Sequence, residues 1–378
     1  MTIKKILILI IIFFTSGLLS GLVFNYLWHS YLPVNDYLII TEVSEEEIYD
    51  EITWQEEILA QGFQSISTID IDNRNNLFLI DNNDKIFIIQ PGGISSELVI
   101  SWRDKPIKFG EAGLLGLALH PQFDFSPFIY IFYTYEIDGL VYNRLSRFIF
   151  KDLKLDNEEI LIDRWPVGSI RNAGYLTFDS EGRLLLSIGD MNDQFAAQDK
   201  LSIAGKILRY DLVGQPALDN PISGNPILAL GLRQPNKIIF NKGQGFFIEE
   251  GLFGRGIYIL IDNQNYNWPM LSICQDTNSQ DYLDNYCDLN ITSFAFCNNC
   301  SLNIDNIILM SNGSDELKLI SLENNEDQLY TLIQDNIILE NYRRPRVKLS
   351  DNQGYFYLTA LDETGQEVVI KLNLKGNI

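Results

Sequence analysis

The stretch RNAGYLTFDSEGRLLLSIGD, residues 171–190, carries the run Tyr175-Leu176-Thr177-Phe178, the polar block Asp179-Ser180-Glu181-Gly182 and a second run, Arg183–Ile188. Aromatic and β-branched residues on both sides of a block that tolerates left-handed backbone angles read as a β-hairpin. The same grammar recurs along the chain. Leu77–Ile80 is followed by Asp81-Asn82-Asn83-Asp84 and Lys85–Ile89, Asn241–Gly245 precedes Phe246–Glu249, and Asp351-Asn352-Gln353-Gly354 precedes Tyr355–Thr359.

This loose repeat falls at the spacing of propeller blades, which are four-stranded sheets of roughly 40–50 residues or more. Long amphipathic helical patterns are absent from the body of the chain, which disfavours α/β layering. The expected fold is all-β, a six-bladed β-propeller preceded by a single N-terminal transmembrane helix. The expected domains are residues 1–32, an anchor or signal; 33–56, an acidic linker; and 57–378, the propeller. In a propeller the irregular, glycine-bearing loops converge on one face around the central channel.

With 46% hydrophobic residues the 378-residue chain can bury a substantial core. Its formal charge of −22 argues against a nucleic-acid partner, because neutralising phosphates needs a basic surface. The same charge argues against binding of anionic lipid by the folded domain.

Lys4 and Lys5 precede an uncharged apolar run from Ile6 to Phe24, long enough to cross a bilayer as a helix. Tyr26, Trp28 and Tyr31 follow, as aromatic residues do at a membrane interface. Thr15-Ser16-Gly17 and Leu19-Ser20-Gly21 are weak candidates for peptidase cleavage. The expectation is an uncleaved anchor, with the propeller on the extracytoplasmic side and a membrane-complex partner possible; a cleaved signal is the alternative.

Cys274, Cys287, Cys297 and Cys300 fall close together. In an exported chain an even, clustered count reads as two disulfides, Cys274–Cys287 with Cys297–Cys300 being the simplest of three pairings. A zinc site is the rival reading, as a lone Cys-x-x-Cys can supply half of one.

Three segments in order, GEAGLLGLALHPQF from Gly110, residues 171–190, and AAQDKLSIAGKILRYDL from Ala196, resemble the pyrroloquinoline quinone (PQQ)-dependent soluble sugar dehydrogenases, the glucose/sorbosone dehydrogenase family. Asp219-Asn220-Pro221, Gly231-Leu232-Arg233-Gln234-Pro235, Asn265-Tyr266-Asn267-Trp268-Pro269 and Arg343-Arg344-Pro345-Arg346-Val347 resemble further elements of that family. The resemblance covers residues 57–270 in good order and 340–375 more loosely. It implies a six-bladed propeller that moves a hydride from a sugar's anomeric carbon to PQQ, with calcium on the quinone and a histidine taking the hydroxyl proton.

The histidine position of the family holds Arg171, which stays protonated and cannot accept a proton. His29 lies in the expected anchor, and His120, in Leu-His-Pro-Gln-Phe, reads as a structural strand-end residue. By the resemblance Glu111 stands beside the cofactor, as a substitute acceptor alongside water. Arg233, Arg344 and Arg346 contact the cofactor, with Arg343 and Pro345 as the alternative register of the last pair. The backbone carbonyls of Gly251 and Leu252 take the calcium-ligand positions, and the acidic residues that normally follow are missing. Asp190 and Gln198-Asp199 brace the loops by capping amides.

Two kinds of function follow. One is a membrane-tethered, PQQ-dependent dehydrogenase of an aldose. The other is a non-catalytic propeller, either binding an anion or acidic peptide through Arg171, Arg233 and Arg344 or Arg346, or serving in a membrane complex. Leu271–Ser311 departs most from the family, so the sugar is not legible.

Overall fold

A computed structural model describes residues 39–42, 53–82, 84–251, 254–269, 291–297, 307–321, 329–332 and 335–375. The expected anchor lies outside these residues, as do Leu252, Cys274, Cys287 and Cys300 and therefore any pairing among the cysteines. Every regular element among the described residues is a strand.

Six sheets form the blades of a β-propeller. Blade 1 comprises Ile66–Ile71, Leu77–Asp81, Lys85–Gln90 and Ile94–Glu97, in that order from the inside outward. Blade 2 comprises Leu114–Leu119, Phe128–Ile137, Leu140–Lys151 and Lys154–Trp165, with Val99–Ile100 added in parallel at its edge. Blade 3 holds Ala173–Phe178, Leu184–Ile188, Lys206–Tyr210 and Ile227–Leu230. Blade 4 shows three strands among the described residues, Pro235–Asn241, Gln244–Glu250 and Arg255–Leu260. Blade 5 holds Ser293–Phe296, Ile307–Ser311, Glu316–Ser321 and Asp335–Ile338.

Blade 6 closes the ring. Its three inner strands, Arg343–Ser350, Tyr355–Leu361 and Glu367–Lys375, come from the end of the chain, and its outermost strand is Thr53–Phe63 from the beginning. The propeller thus begins at Thr53, inside the stretch read as linker, and a further parallel pair joins Ile39–Glu42 to Leu329–Leu332. Pairing the two ends leaves no open edge between first and last blades, which answers the liability of an exposed strand.

Blades stack face to face, so their central strands are buried on both sides. Leu77–Asp81, Leu184–Ile188 and Lys206–Tyr210 have no exposed residue, whereas the outermost Thr53–Phe63 is exposed over most of its length. That is why the inner runs read as continuous apolar stretches rather than alternating ones. Phe78, Ile80 and Ile88 pack on Leu117, Ile131 and Phe148 between blades 1 and 2, and Leu309 and Leu319 pack on Leu358 and Ile370 between blades 5 and 6.

The recurring Asp turns have a common construction. Asp72, Asp179 and Asp351 each use Oδ1 to accept the amides two and four residues ahead, at 2.8–3.1 Å. A carboxylate that satisfies two turn amides and a glycine with positive φ, Gly182 or Gly354, define the hairpin.

Candidate functional site

The first strands of the six blades surround the axis and touch in ring order, each inner strand beside the next. Two cavities lie along them. One, of about 300 Å³, sits near the N-terminal ends of these strands; the other, of about 260 Å³, lies nearer their C-terminal ends. Thr68, Ile69, Tyr175 and Lys348 border both, so this layer separates an upper chamber from a lower one.

The upper chamber is polar and rich in cations. Arg346 and Lys348 come from blade 6, Lys237 and Arg255 from blade 4, against the acids Glu111 and Glu250. Glu250 is held by Arg255, whose Nε and Nη2 lie 2.8 and 2.7 Å from its Oε2. Arg346 is ion-paired with Glu367 and donates to the Ile66 carbonyl. Asn172, Gln234 and Asn236 add amides to the wall.

Both lysines are withdrawn from water. Lys348 Nζ donates to the carbonyls of Ile66 and Ser67, at 2.7 and 3.2 Å. Burial pushes its ammonium well below the usual lysine range, and Arg346 pushes it the same way. Lys237 Nζ reaches from blade 4 to the Val347 and Lys348 carbonyls of blade 6, at 2.6 and 2.8 Å. Burial lowers its value to about 7.

Sequence-level candidates divide cleanly. Glu111 and Arg346 line the upper chamber. Glu111 is exposed, and its Oε2 accepts the Arg171 amide at 2.8 Å. The Arg171 side chain is not on the chamber wall: its Nε binds Asp190 Oδ1 at 2.6 Å and its Nη2 binds Asn192 Oδ1 at 2.6 Å. Arg344 is exposed, with its backbone amide on Asp315. Arg233 stands beside the chamber, its guanidinium over the Trp268 ring and its amide on Glu249. The structure therefore does not bring Arg171, Arg233 and Arg344 together on one wall.

His120 packs near Phe128, Tyr130 and Phe178, accepts the Gln122 amide on Nδ1 and lines neither chamber. Asp190 is fully buried and caps the Asn192 amide, while Gln198 binds Asn265 and the Trp268 carbonyl. Lys237, Lys348 and Glu249 escaped the sequence reading. Their one signal is a charged residue inside an apolar inner strand, as in Asn236-Lys237-Ile238 and Val347-Lys348-Leu349.

Glu249 is buried beneath Arg233, with Oε1 on the Arg233 and Gln234 amides and Oε2 without a partner. Burial raises its carboxyl to about 8. In the lower chamber, burial raises Asp70 to about 6 against the lowering effect of the Leu119 and Ile71 amides.

The sequence profile of the Glucose / Sorbosone dehydrogenase family matches residues 65–310. The chain belongs to that family. Among its relatives are the aldose sugar dehydrogenase YliI of Escherichia coli, 31% identical over 178 residues, and quinoprotein glucose dehydrogenase B of Acinetobacter calcoaceticus, 25% identical over 205. Those matches cover 43% and 46% of this chain, and 47% and 43% of the relatives. The chain thus spans about half the length of the curated relatives it matches. The fold is also that of the PQQ-bound aldose sugar dehydrogenase from Streptomyces coelicolor, with a TM-score of 0.71 at 20% identity over 86% of this chain and 99% of that one.

The family's two ligands fare differently against this glucose/sorbosone dehydrogenase fold. A polycarboxylate quinone fits the upper chamber in charge, since the guanidiniums of Arg255 and Arg346 stand on its wall in a chain of net charge −22. Calcium does not fit at the Gly251 carbonyl, the described half of its expected position. The Gly251 carbonyl already accepts Arg233 Nη1 at 3.0 Å, and the Glu250 carbonyl accepts it at 3.3 Å. A divalent ion there would face a guanidinium, and among the described residues no group of three or more His, Cys, Asp or Glu could hold a metal.

Proposed function

We propose that this protein is a PQQ-dependent oxidoreductase of aldose sugars whose reaction takes place in the upper chamber. The observation that carries this reading is that two guanidiniums, those of Arg255 and Arg346, stand on one axial cavity of a strongly acidic propeller. They would face the cofactor's carboxylates, and the amides of Gln234 and Asn236 would orient it. When bound, the quinone would supply the acceptor for a hydride, that is, for one hydrogen and its electron pair. The chamber walls hold the sugar near it and limit access of water. The N-terminal apolar segment would tether the propeller to a membrane on its extracytoplasmic side.

Addition of PQQ to the purified protein should give a saturable change in quinone absorbance, and a dye should then bleach with at least one aldose of a broad panel. Absence of saturable binding sinks this reading.

One observation favours a second reading, a non-catalytic propeller that binds an anion. Arg171, which the resemblance places at the family's base position, is held in an ion pair, and a guanidinium cannot accept a proton. PQQ binding without turnover of any aldose would select it.

A further inference from the structure

Resting on the oxidoreductase reading, we propose that Lys237 is the proton acceptor that stands in for the imidazole missing at position 171.

Placement comes first. Lys237 belongs to the inner strand of blade 4, which lies against the inner strand of blade 3, where Arg171 precedes Ala173–Phe178. A register shift between Asn236 and Ile238, with φ of 35° at Lys237, marks a bulge at this point of the strand. Bulges re-aim a side chain at functional sites. Lys237 borders the upper chamber and not the lower one, unlike Lys348, which borders both.

Hydrogen-bond counting then specifies the chemistry. The amine makes two hydrogen bonds, to the Val347 and Lys348 carbonyls. A neutral amine has two N–H donors, and these carbonyls consume both. The fourth tetrahedral direction of the nitrogen carries its lone pair, which is the position an incoming hydroxyl proton needs. The carbonyls hold the nitrogen in place as a second group holds the base of a nucleophile–base pair. Phe294 covers it on the blade 5 side, its ring centroid 5.9 Å from Nζ.

Burial holds the amine below its ordinary protonation range, and the charged groups around the chamber are these. Blade 6 presents Arg346 and Lys348, blade 4 presents Arg255 already paired with Glu250, blade 3 presents Tyr175 and blade 2 presents Glu111. Among the described residues, blades 1 and 5 present Ser67, Thr68, Ile69, Thr292 and Ser293. Burial is the cause that brings Lys237 to about 7, where a general base is most effective. Glu111 is a poorer acceptor, being exposed and already bound to the Arg171 amide.

The step balances. The anomeric O–H bond breaks and its proton passes to Lys237 Nζ. The anomeric C–H bond breaks and its hydrogen leaves with the electron pair to the bound ortho-quinone, the two-electron oxidant. The anomeric carbon becomes a carbonyl and the product is a lactone.

The test compares wild type with Lys237→Met, Lys237→Arg and Lys348→Met, reading PQQ absorbance, dye-coupled turnover, and the titration of ¹³Cε-lysine-labelled protein. Lys237→Met and Lys237→Arg should bind PQQ as wild type does and lose roughly a hundred- to ten-thousand-fold of kcat. The lysine signal absent from Lys237→Arg should titrate near neutrality in wild type, and wild-type kcat/KM should rise through the same pH. Undiminished turnover in Lys237→Met overturns the assignment while leaving the oxidoreductase reading intact. So does loss of PQQ binding in both position-237 variants, which would make Lys237 a cofactor ligand. A Lys237 signal titrating near the ordinary lysine value of about 10.4 also overturns it, as does loss of kcat in Lys348→Met alone. Wild type that binds PQQ and oxidises no aldose overturns the oxidoreductase reading and this assignment with it.

Discussion

Arg171 Nε lies 2.6 Å from Oδ1 of Asp190, a carboxylate with no solvent-exposed surface. The other Asp190 oxygen accepts Trp268 Nε1 at 3.0 Å, and Oδ1 also accepts the Asn192 amide. Arg171 thus balances a buried carboxylate that anchors the loop after Ile188.

Replacing Arg171 by Ala leaves Asp190 buried and uncompensated. We expect a loss of about 3 kcal/mol in urea unfolding, since removing one partner of a buried pair costs roughly that much. Asp190→Asn in the same background should recover part of it, because the neutral amide needs no counter-charge. Quinone binding should survive Arg171→Ala, as this side chain is off the chamber wall; a large loss of PQQ affinity would refute the placement.

Lys206 is fully buried and donates to the carbonyls of Ala196, Ala197 and Ala204, at 2.7–2.9 Å. It therefore pins the 189–205 loop onto the strand that carries it. Lys206→Met should cost about 3 kcal/mol by removing three hydrogen bonds and leaving the Ala204 carbonyl without its donor, and should expose that loop to limited proteolysis. Unchanged protease resistance would show that the loop holds itself.

Glu249 makes stability depend on pH. Its folded-state value of about 8 stands above the ordinary value of 4.5, so the folded protein holds a proton that the unfolded chain releases in that window. Its contribution is complete below about 4.5 and is lost as pH rises through about 8. Glu249→Gln, which keeps an acceptor for the Arg233 and Gln234 amides, should flatten that slope and stabilise the protein most at the alkaline end. Thermal unfolding across this range checks it, and an unchanged slope counts against a buried neutral carboxyl.

Calcium should not be needed for quinone binding. Arg233 Nη1 occupies the Gly251 carbonyl, so chelator treatment should leave PQQ affinity unchanged and added calcium should not raise the melting temperature. Substituting Arg233→Ala frees that carbonyl, and a calcium response confined to this variant would identify the guanidinium as the built-in cation. A response in wild type would show that the arginine yields to the ion.

The all-β class and the blade rhythm were legible in the sequence because they rest on local chemistry. Asp179-Ser180-Glu181-Gly182 makes its turn through one carboxylate and neighbouring amides, and continuous apolar runs such as Leu184–Ile188 state that both faces are covered. Family membership was equally legible, since residues 65–310 keep its segments in order. Closure was not legible: that Thr53–Phe63 pairs with Glu367–Lys375 depends on contacts across the whole length of the domain.

The composition of the site belongs to the tertiary structure for the same reason. Arg233, Arg344 and Arg346 are alike in sequence, yet only Arg346 reaches the chamber wall, because burial and pairing are properties of the assembled ring. Lys237 and Lys348 looked like ordinary strand residues. Bringing blades 4, 6 and 1 around one axis placed their amines on backbone carbonyls away from water, and that shared desolvation changes what a lysine can do. Sequence determined which residues were available and how each hairpin turns; only the closed ring decided which charges face one another without solvent between them.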